Sequence, residues 1–411
     1  MKYIKYFGLV IFSIFFIFQI LSAEESPVTE EHIAIINKLF KENGIKNGYA
    51  VLKDGKVRLK GKYYDDKEVD KAFSIAQTVV GVKWVSFVTP EEIEVKEWQK
   101  RIGKIFERAE VLKPSIPSGP PGPIKQRYAL VVGVGKFKYG IAPLQYAAKD
   151  AEDFYKFLIN TAKFPPENII LLKNESATRE NIINALEKIK RIAEEDDLVV
   201  VYISTHGTPP DKFGGVHIVA YDTEVKPREK VWHTAVTDKE IESFVTNLKA
   251  KRFVMILDTC YSNGAYKGIP GFLPPGGKSL GVEEEEGYGI SKEYGKRLLG
   301  AKDIIVEETY KPLKRTAEEG WGKILISASG PGEKSWESDI LHNSIFTYYF
   351  IEGLKKNDAS IRDAFFYAKP LVYQRVKQEK GPDIEQNPQL IRATTNENWN
   401  FLLSPKSLKR R

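Results

Sequence analysis

Cysteine is almost missing from this chain: Cys260 is the only one in 411 residues. A single thiol forms no internal disulfide, so burial and hydrogen bonding must hold the fold. Only five histidines accompany it, and none falls at a metal-ligand spacing, which argues against structural zinc. A basic block is also lacking. Lys and Arg number 62 against 55 Asp and Glu, and the formal charge of +7 is spread thinly, so the surface reads as solvated rather than as a nucleic-acid footprint. The 42% hydrophobic content argues against disorder and suffices for the cores of two or three domains.

What is present begins with a leader. Lys2 and Lys5 precede an apolar stretch from Tyr6 to Leu21, and Ser22-Ala23 stands before Glu24 and Glu25. This is the layout of a secretory signal peptide, residues 1–23. Leu21 is larger than the small residue preferred there, so an N-terminal membrane anchor is the alternative, although the stretch is slightly short to span a bilayer. Either reading puts the bulk of the protein in a periplasmic or extracellular compartment. A free thiol kept there needs a reason. Catalysis supplies one, and a small buried apolar residue is the plainer alternative.

Two apolar runs end on reactive side chains. Phe253 to Gly264, FVMILDTCYSNG, is expected to be a central strand of a parallel sheet, breaking off at Asp258, Thr259 and Cys260. Alternation puts Asp258 and Cys260 on one face, at the carboxyl end of a strand, where open α/β sheets build their sites. Asp197 to Gly207, DLVVVYISTHG, has the same grammar and ends on His206 and Gly207. If the two strands are neighbours, a base lies roughly 50 residues before its nucleophile.

In this pair of segments the chain resembles the caspase and metacaspase group of cysteine peptidases. The likeness runs from about Arg127 to Arg392 through RYALVVGVGKF, LQYAAKDAEDF, ISTHG, LDTCYSNG and ILISASGPGEKSWES. It implies a caspase-hemoglobinase-like α/β fold, a mostly parallel sheet covered by helices on both faces, and a His206–Cys260 dyad. Backbone N–H groups of Gly207 and Cys260 would hold the oxyanion. In the metacaspase branch, positions matching Asp150, Ser204 and Asp258 form a pocket for Arg or Lys. An unmatched carboxylate near the reacting carbonyl would be costly, which points the same way; the plainer reading of Asp150 is a helix cap or surface salt bridge. Calcium-binding acids do not map cleanly, with Asp222 and Asp238 the only candidates, so no cofactor is expected. Gly135 replaces an asparagine usual in the first strand-loop, and Cys-Tyr-Ser-Asn-Gly replaces the commoner Cys-His-Ser-Gly. His32, His217, His233 and His342 read as surface or capping residues.

Ahead of this region a small α+β domain is expected over 28–90. It comprises a helix from Thr29 to Asn43, a hairpin turning at Lys53-Asp54-Gly55, a helix from Asp65 to Val80 and a strand from Gly81 to Val88. The pattern DGKVRLKG, then a helix, then GVKWV resembles a BON domain, which implies an envelope or phospholipid surface as partner; a mere spacer is the alternative. A charged helix (Glu91 to Leu112) and a proline-rich linker would fill 91–126. The peptidase domain would occupy 127–400, with strands at Val216 to Ala220 and elsewhere and a Gly/Pro-rich insertion at 263–322. The expectation is an exported endopeptidase acting on polypeptides with basic residues. The rival is a non-catalytic envelope-binding protein on a peptidase scaffold.

Overall fold

The computed structural model describes residues 26–87, 94–95, 119–262, 287–288, 292–301, 303–310, 320–330, 332–393 and 398–405. The leader, the stretch 114–118 of the linker and the acidic run of the insertion lie outside them. Among the described residues no helix is long and apolar enough to cross a membrane.

The N-terminal unit packs helices α1 (Glu30–Glu42) and α2 (Asp66–Val80) on a hairpin of β1 (Gly48–Lys53) and β2 (Lys56–Tyr63). Helix α1 buries Ile33, Ile36, Leu39 and Phe40, the stripe that a helical period dictates. Asp65 caps α2 by accepting the Glu68 amide at 2.9 Å. Over its described residues, 81–87, the strand expected from Gly81 to Val88 does not form. Gly81, at φ 94°, turns the chain out of α2 into a single 3-10 turn, Val82–Trp84, and only Val85 bridges to Val57. Val82, Trp84 and Val85 are all buried, so this apolar run fills a corner and lacks the alternation of a strand. Within the expected helix from Glu91 to Leu112, the described residues Glu94–Val95 form β3, a short parallel strand on β2, and the rest lies outside the described residues.

In the larger unit the sheet runs β5-β4-β6-β7-β10-β13-β9. Strands β4 (Arg127–Gly133), β5 (Ile169–Lys173), β6 (Leu198–His206), β7 (Arg252–Ser262) and β10 (Gly322–Ser327) are mutually parallel. Strand β13 (Gln389–Ala393) reverses direction beside β10 and pairs antiparallel with β9 (Ile304–Val306), so the sheet is mixed at that edge. A two-residue strand, β8 (Gly287–Tyr288), pairs with the end of β7. All nine residues of β6 are buried, as a strand covered on both faces requires.

Each face has its own core. Val200, Tyr202, Val254 and Ile256 pack with α3 (Ala147–Asn160), α8 (Ile345–Lys356) and α9 (Ile361–Lys380). Val199, Val201, Ile203, Phe253, Met255 and Leu257 pack with α4 (Arg179–Ile192), α6 (Asp238–Asn247) and α7 (Lys292–Leu299). Helix α7 and strand β9 lie inside the stretch expected as a Gly/Pro-rich insertion. Tyr294, Leu298 and Leu299 bury one face of α7, a spacing diluted in the sequence by the glycines and charges around it. The strand expected at Val216 to Ala220 is reduced to bridges of Ile218 with Gly207 and Val236, within a long connection that also holds the short helix α5 (Lys230–Thr234).

Candidate active site

Alternation along the two central strands builds the site. Even-numbered residues of β6 and β7 face the core under α3 and α8, and the same parity carries Ser204, His206 and Asp258 to that face at the strand ends. The register completes the arrangement, with Ser204 opposite Asp258 and His206 opposite Cys260. The backbone of Cys260 is described and its side chain is not.

His206 is 8% exposed. Its Nε2 lies 2.9 Å from the Ala142 carbonyl oxygen, and its ring sits 5.3 Å from that of Phe137. A carbonyl only accepts, so Nε2 carries the proton and Nδ1 is left as the basic nitrogen. Burial pulls the imidazole down from 6.5 to about 4, against a smaller rise from the Ala142 bond. At neutral pH the ring is therefore an uncharged base with its tautomer fixed. Sequence reasoning missed Ala142 because it acts through its backbone. The faint signal was Pro143, which keeps residue 142 extended and its carbonyl out of α3.

Asp150 and Asp258 stand together beneath the histidine. Asp150 is fully buried and accepts from Asn343 Nδ2 (2.8 Å), the Ser344 amide (3.0 Å) and Ser204 Oγ (3.5 Å). Asp258 accepts from Ser335 Oγ (2.5 Å) and Thr347 Oγ1 (2.7 Å). All these partners are neutral. Burial first, and then the charge of Asp258, pushes the Asp150 carboxyl well above the usual range; burial raises Asp258 too. Two acids coexist here because both meet the start of α8. Ser344 is its N-cap and Thr347 lies in its first turn, where orphan amides and the helix dipole favour negative charge.

A reciprocal clasp fixes these positions. Glu337, on a hairpin of β11 (Glu337–Ser338) and β12 (Asn343–Ser344), accepts the amides of Gln145 (2.9 Å) and Tyr146 (2.7 Å) just before α3. Asp150, in the first turn of α3, returns the contact by accepting from Asn343 and Ser344. Helix α3 lies so close to β4 that a Cβ on Gly133 would come within 2.5 Å of the Ala147 oxygen. Glycine at that position thus sets how deeply Asp150 reaches. These groups line a cleft of about 350 Å³ that also presents Thr205, Lys334, Trp336, Asp339 and Lys380. Four of its side chains are carboxylates. Ser335, Glu337, Asn343, Ser344 and Thr347 were not assigned from sequence, being polar residues far along the chain from the strands they serve.

The remaining candidates lie elsewhere. His217 was expected at the surface but is buried, with Nε2 at 3.1 Å from Asp211 and Nδ1 at 3.8 Å from Asp238. Burial alone would lower its pKa, yet the Asp211 bond and the two acidic charges raise it. His32 belongs to the cap of α1, His233 pairs with Asp70 at 3.1 Å, and His342 approaches Tyr146 Oη at 3.4 Å. Asp222 accepts the Arg179 amide, while Asp238 faces Arg297 and His217. Among the described residues no three His, Cys, Asp or Glu are grouped to hold a metal ion. Gly135 donates its amide to Asn174 Oδ1.

The model of the caspase domain family matches residues 126–398, which include both central strands and both pocket acids. Among curated proteins, the chain is similar to metacaspase-1A of Aspergillus terreus, with 22% identity over 263 residues, covering 56% of this chain and 63% of that one. It is 28% identical over 163 residues to metacaspase-4 of Arabidopsis thaliana, covering 38% of each. It is 23% identical over 184 residues to metacaspase III c of Phaeodactylum tricornutum, covering 43% of this chain and 54% of that one. The chain thus spans between 38 and 63% of the length of these relatives. Among solved structures, caspase-1 from Spodoptera frugiperda aligns with a TM-score of 0.41 at 13% identity, covering 72% of this chain and 97% of that one. Since the family match takes in well over half of the sequence, the chain belongs to the caspase-domain family.

Proposed function

We propose that this protein is a cysteine endopeptidase that cleaves polypeptides after Arg or Lys. In this reading the Cys260 sulfur attacks the scissile carbonyl while His206 Nδ1 takes the thiol proton and passes it to the departing amine. The Ala142 carbonyl supports the role by holding the other ring nitrogen protonated. Backbone N–H groups of Gly207 and Cys260 receive the oxyanion, and water releases the acyl group in the second half of the cycle. A base at about 4 stays uncharged in the resting protein, so proton transfer accompanies attack instead of preceding it.

The observation that carries the specificity is the pair Asp150 and Asp258, buried beside the base and accepting from the neutral groups Ser335, Asn343, Ser344 and Thr347. A guanidinium or ammonium group entering the cleft would offset both charges, and Ser204 would contribute a further acceptor. We further read residues 1–23 as an export signal and the N-terminal unit as a module for an envelope or phospholipid surface. The test compares peptides ending in Arg, Lys and citrulline, the neutral isostere of Arg, each carrying a fluorogenic leaving group. Arg and Lys should be turned over and citrulline should not, and Cys260→Ala should abolish turnover with unchanged circular dichroism. Equal turnover of citrulline would overturn the pocket, and turnover by Cys260→Ala would overturn the peptidase reading altogether.

A further inference from the structure

Helix α2 of the N-terminal unit is buried without interruption from Ala72 to Val80. A helix lying on one small sheet buries a single stripe, so a second body must cover its outer side. That body is the connection between β6 and α6, which leaves the catalytic strand at Gly207. Asp70, Ser74 and Gln77, at positions i, i+4 and i+7, form a polar stripe aimed into it.

The contacts are specific and buried. Asp70 pairs with Lys212 at 2.9 Å, with both side chains 7% exposed, and reaches His233 at 3.1 Å. Gln77 donates Nε2 to the Pro210 carbonyl (2.9 Å) and accepts from Arg228 Nη1 (2.9 Å), which also meets Ser74 Oγ (3.2 Å). Phe73 packs against the Trp232 ring at 6.0 Å, and Trp232 donates to the Pro209 carbonyl at 2.8 Å. Pro209 and Pro210 follow closely on Gly207, whose amide is assigned above to the oxyanion. The same connection folds back on the strand end through Val219 N to His206 O (3.0 Å) and Thr208 N to His217 O (2.9 Å). No described residue of the cleft lining comes from the N-terminal unit.

We propose that the N-terminal unit is a working part of the peptidase, a brace that fixes the 207–236 connection and with it the oxyanion donor at Gly207. This rests on the peptidase reading above. Asp70, Gln77 and Arg228 are positioning residues, acting through backbone that itself touches the reacting atoms. Because a misplaced oxyanion donor weakens transition-state binding and leaves ground-state binding alone, loss of the brace should lower kcat and leave KM in place.

The test uses the full-length chain and a charge exchange across the buried pair. Asp70→Lys sets two ammonium groups against each other; with Lys212→Asp added, the pair is restored in reverse. Asp70→Lys should lower kcat for an Arg-ended peptide roughly tenfold with KM unchanged. Hydrogen exchange of amides 207–236 should quicken, and the double variant should regain both. Faster exchange with unchanged kcat would overturn the proposal, and so would a rise in kcat, which would mark the unit as an inhibitor. Unchanged exchange would show that α2 does not hold the connection. If the unaltered protein hydrolysed no peptide, the peptidase reading would fall together with the catalytic part of this one, and exchange would still decide whether the brace exists.

Discussion

Replacing Asp258 by Asn should separate recognition from stability. The side chain is 5% exposed and accepts from Ser335 and Thr347. An amide of equal size keeps one acceptor for Ser335 and turns its NH2 toward Thr347, whose hydroxyl can donate to Tyr202 Oη 2.6 Å away. The polar network survives while a buried charge and its repulsion of Asp150 disappear. Burial raises the folded-state pKa of Asp258 above the usual carboxylate range, so its ionised form costs stability at neutral pH. That cost falls as pH drops through the folded-state pKa and is absent below about 3.8. Asp258→Asn should therefore gain on the order of 1 kcal/mol at neutral pH, with the gain shrinking on acidification. Against this, an enclosed cation loses one of its two acids. We expect kcat/KM for Arg- and Lys-ended peptides to fall about a hundredfold, roughly 3 kcal/mol, and the preference for Arg over citrulline to collapse. Thermal unfolding across pH and kinetics on the matched substrates measure both quantities. A clear loss of stability at neutral pH, or an equal loss on Arg and citrulline peptides, would refute the reasoning.

Further outcomes follow from other groups. His206 titrates at about 4, so kcat/KM should stay high well below pH 6.5, and an acid limb centred near 6.5 would contradict the buried, neutral base. Because that pKa is depressed on folding, the associated stability is present above pH 6.5 and is lost as pH falls toward 4. His217 behaves in the opposite sense: its raised pKa gives stability that is full below 6.5 and is lost as pH rises through the folded-state value. His217→Ala leaves Asp211 buried without its ring partner and should cost about 3–5 kcal/mol in urea unfolding; a loss below 1 kcal/mol would show that the pair is not held as described. Asp150→Ala strips an acceptor from the Ser344 amide and Asn343, and about 2–4 kcal/mol should vanish, in contrast to the gain for Asp258→Asn.

The sheet was legible because its strands are unbroken apolar runs, and β6 and β7 leave no choice but burial on both faces. The adjacency of β6 and β7 follows from the order of motifs and from no property of either strand. The antiparallel edge of β13 and β9 left no trace, since a short buried strand reads the same in either direction. Val82 to Val85 and Val216 to Ala220 have the composition of strands but, among the described residues, make only isolated bridges at Val85 and Ile218. Helix α7 hid its apolar spacing in a glycine-rich setting, and the Ala142 carbonyl, like every backbone group, has no sequence of its own. Apart from Ser204, the donors to Asp150 and Asp258 come from residues 335–347, far along the chain from both acids, so only the folded arrangement discloses them.

The clasp between α3 and the β11–β12 hairpin makes Asp150 unlike an interchangeable part. The carboxyl group that lines the cleft is also the fastener that joins two helix beginnings, so any exchange that removed its acceptor oxygens would loosen the corner it secures. Retargeting of this cleft, by selection or by design, is thereby channelled through Asp258, whose hydroxyl neighbours can rotate to suit a successor.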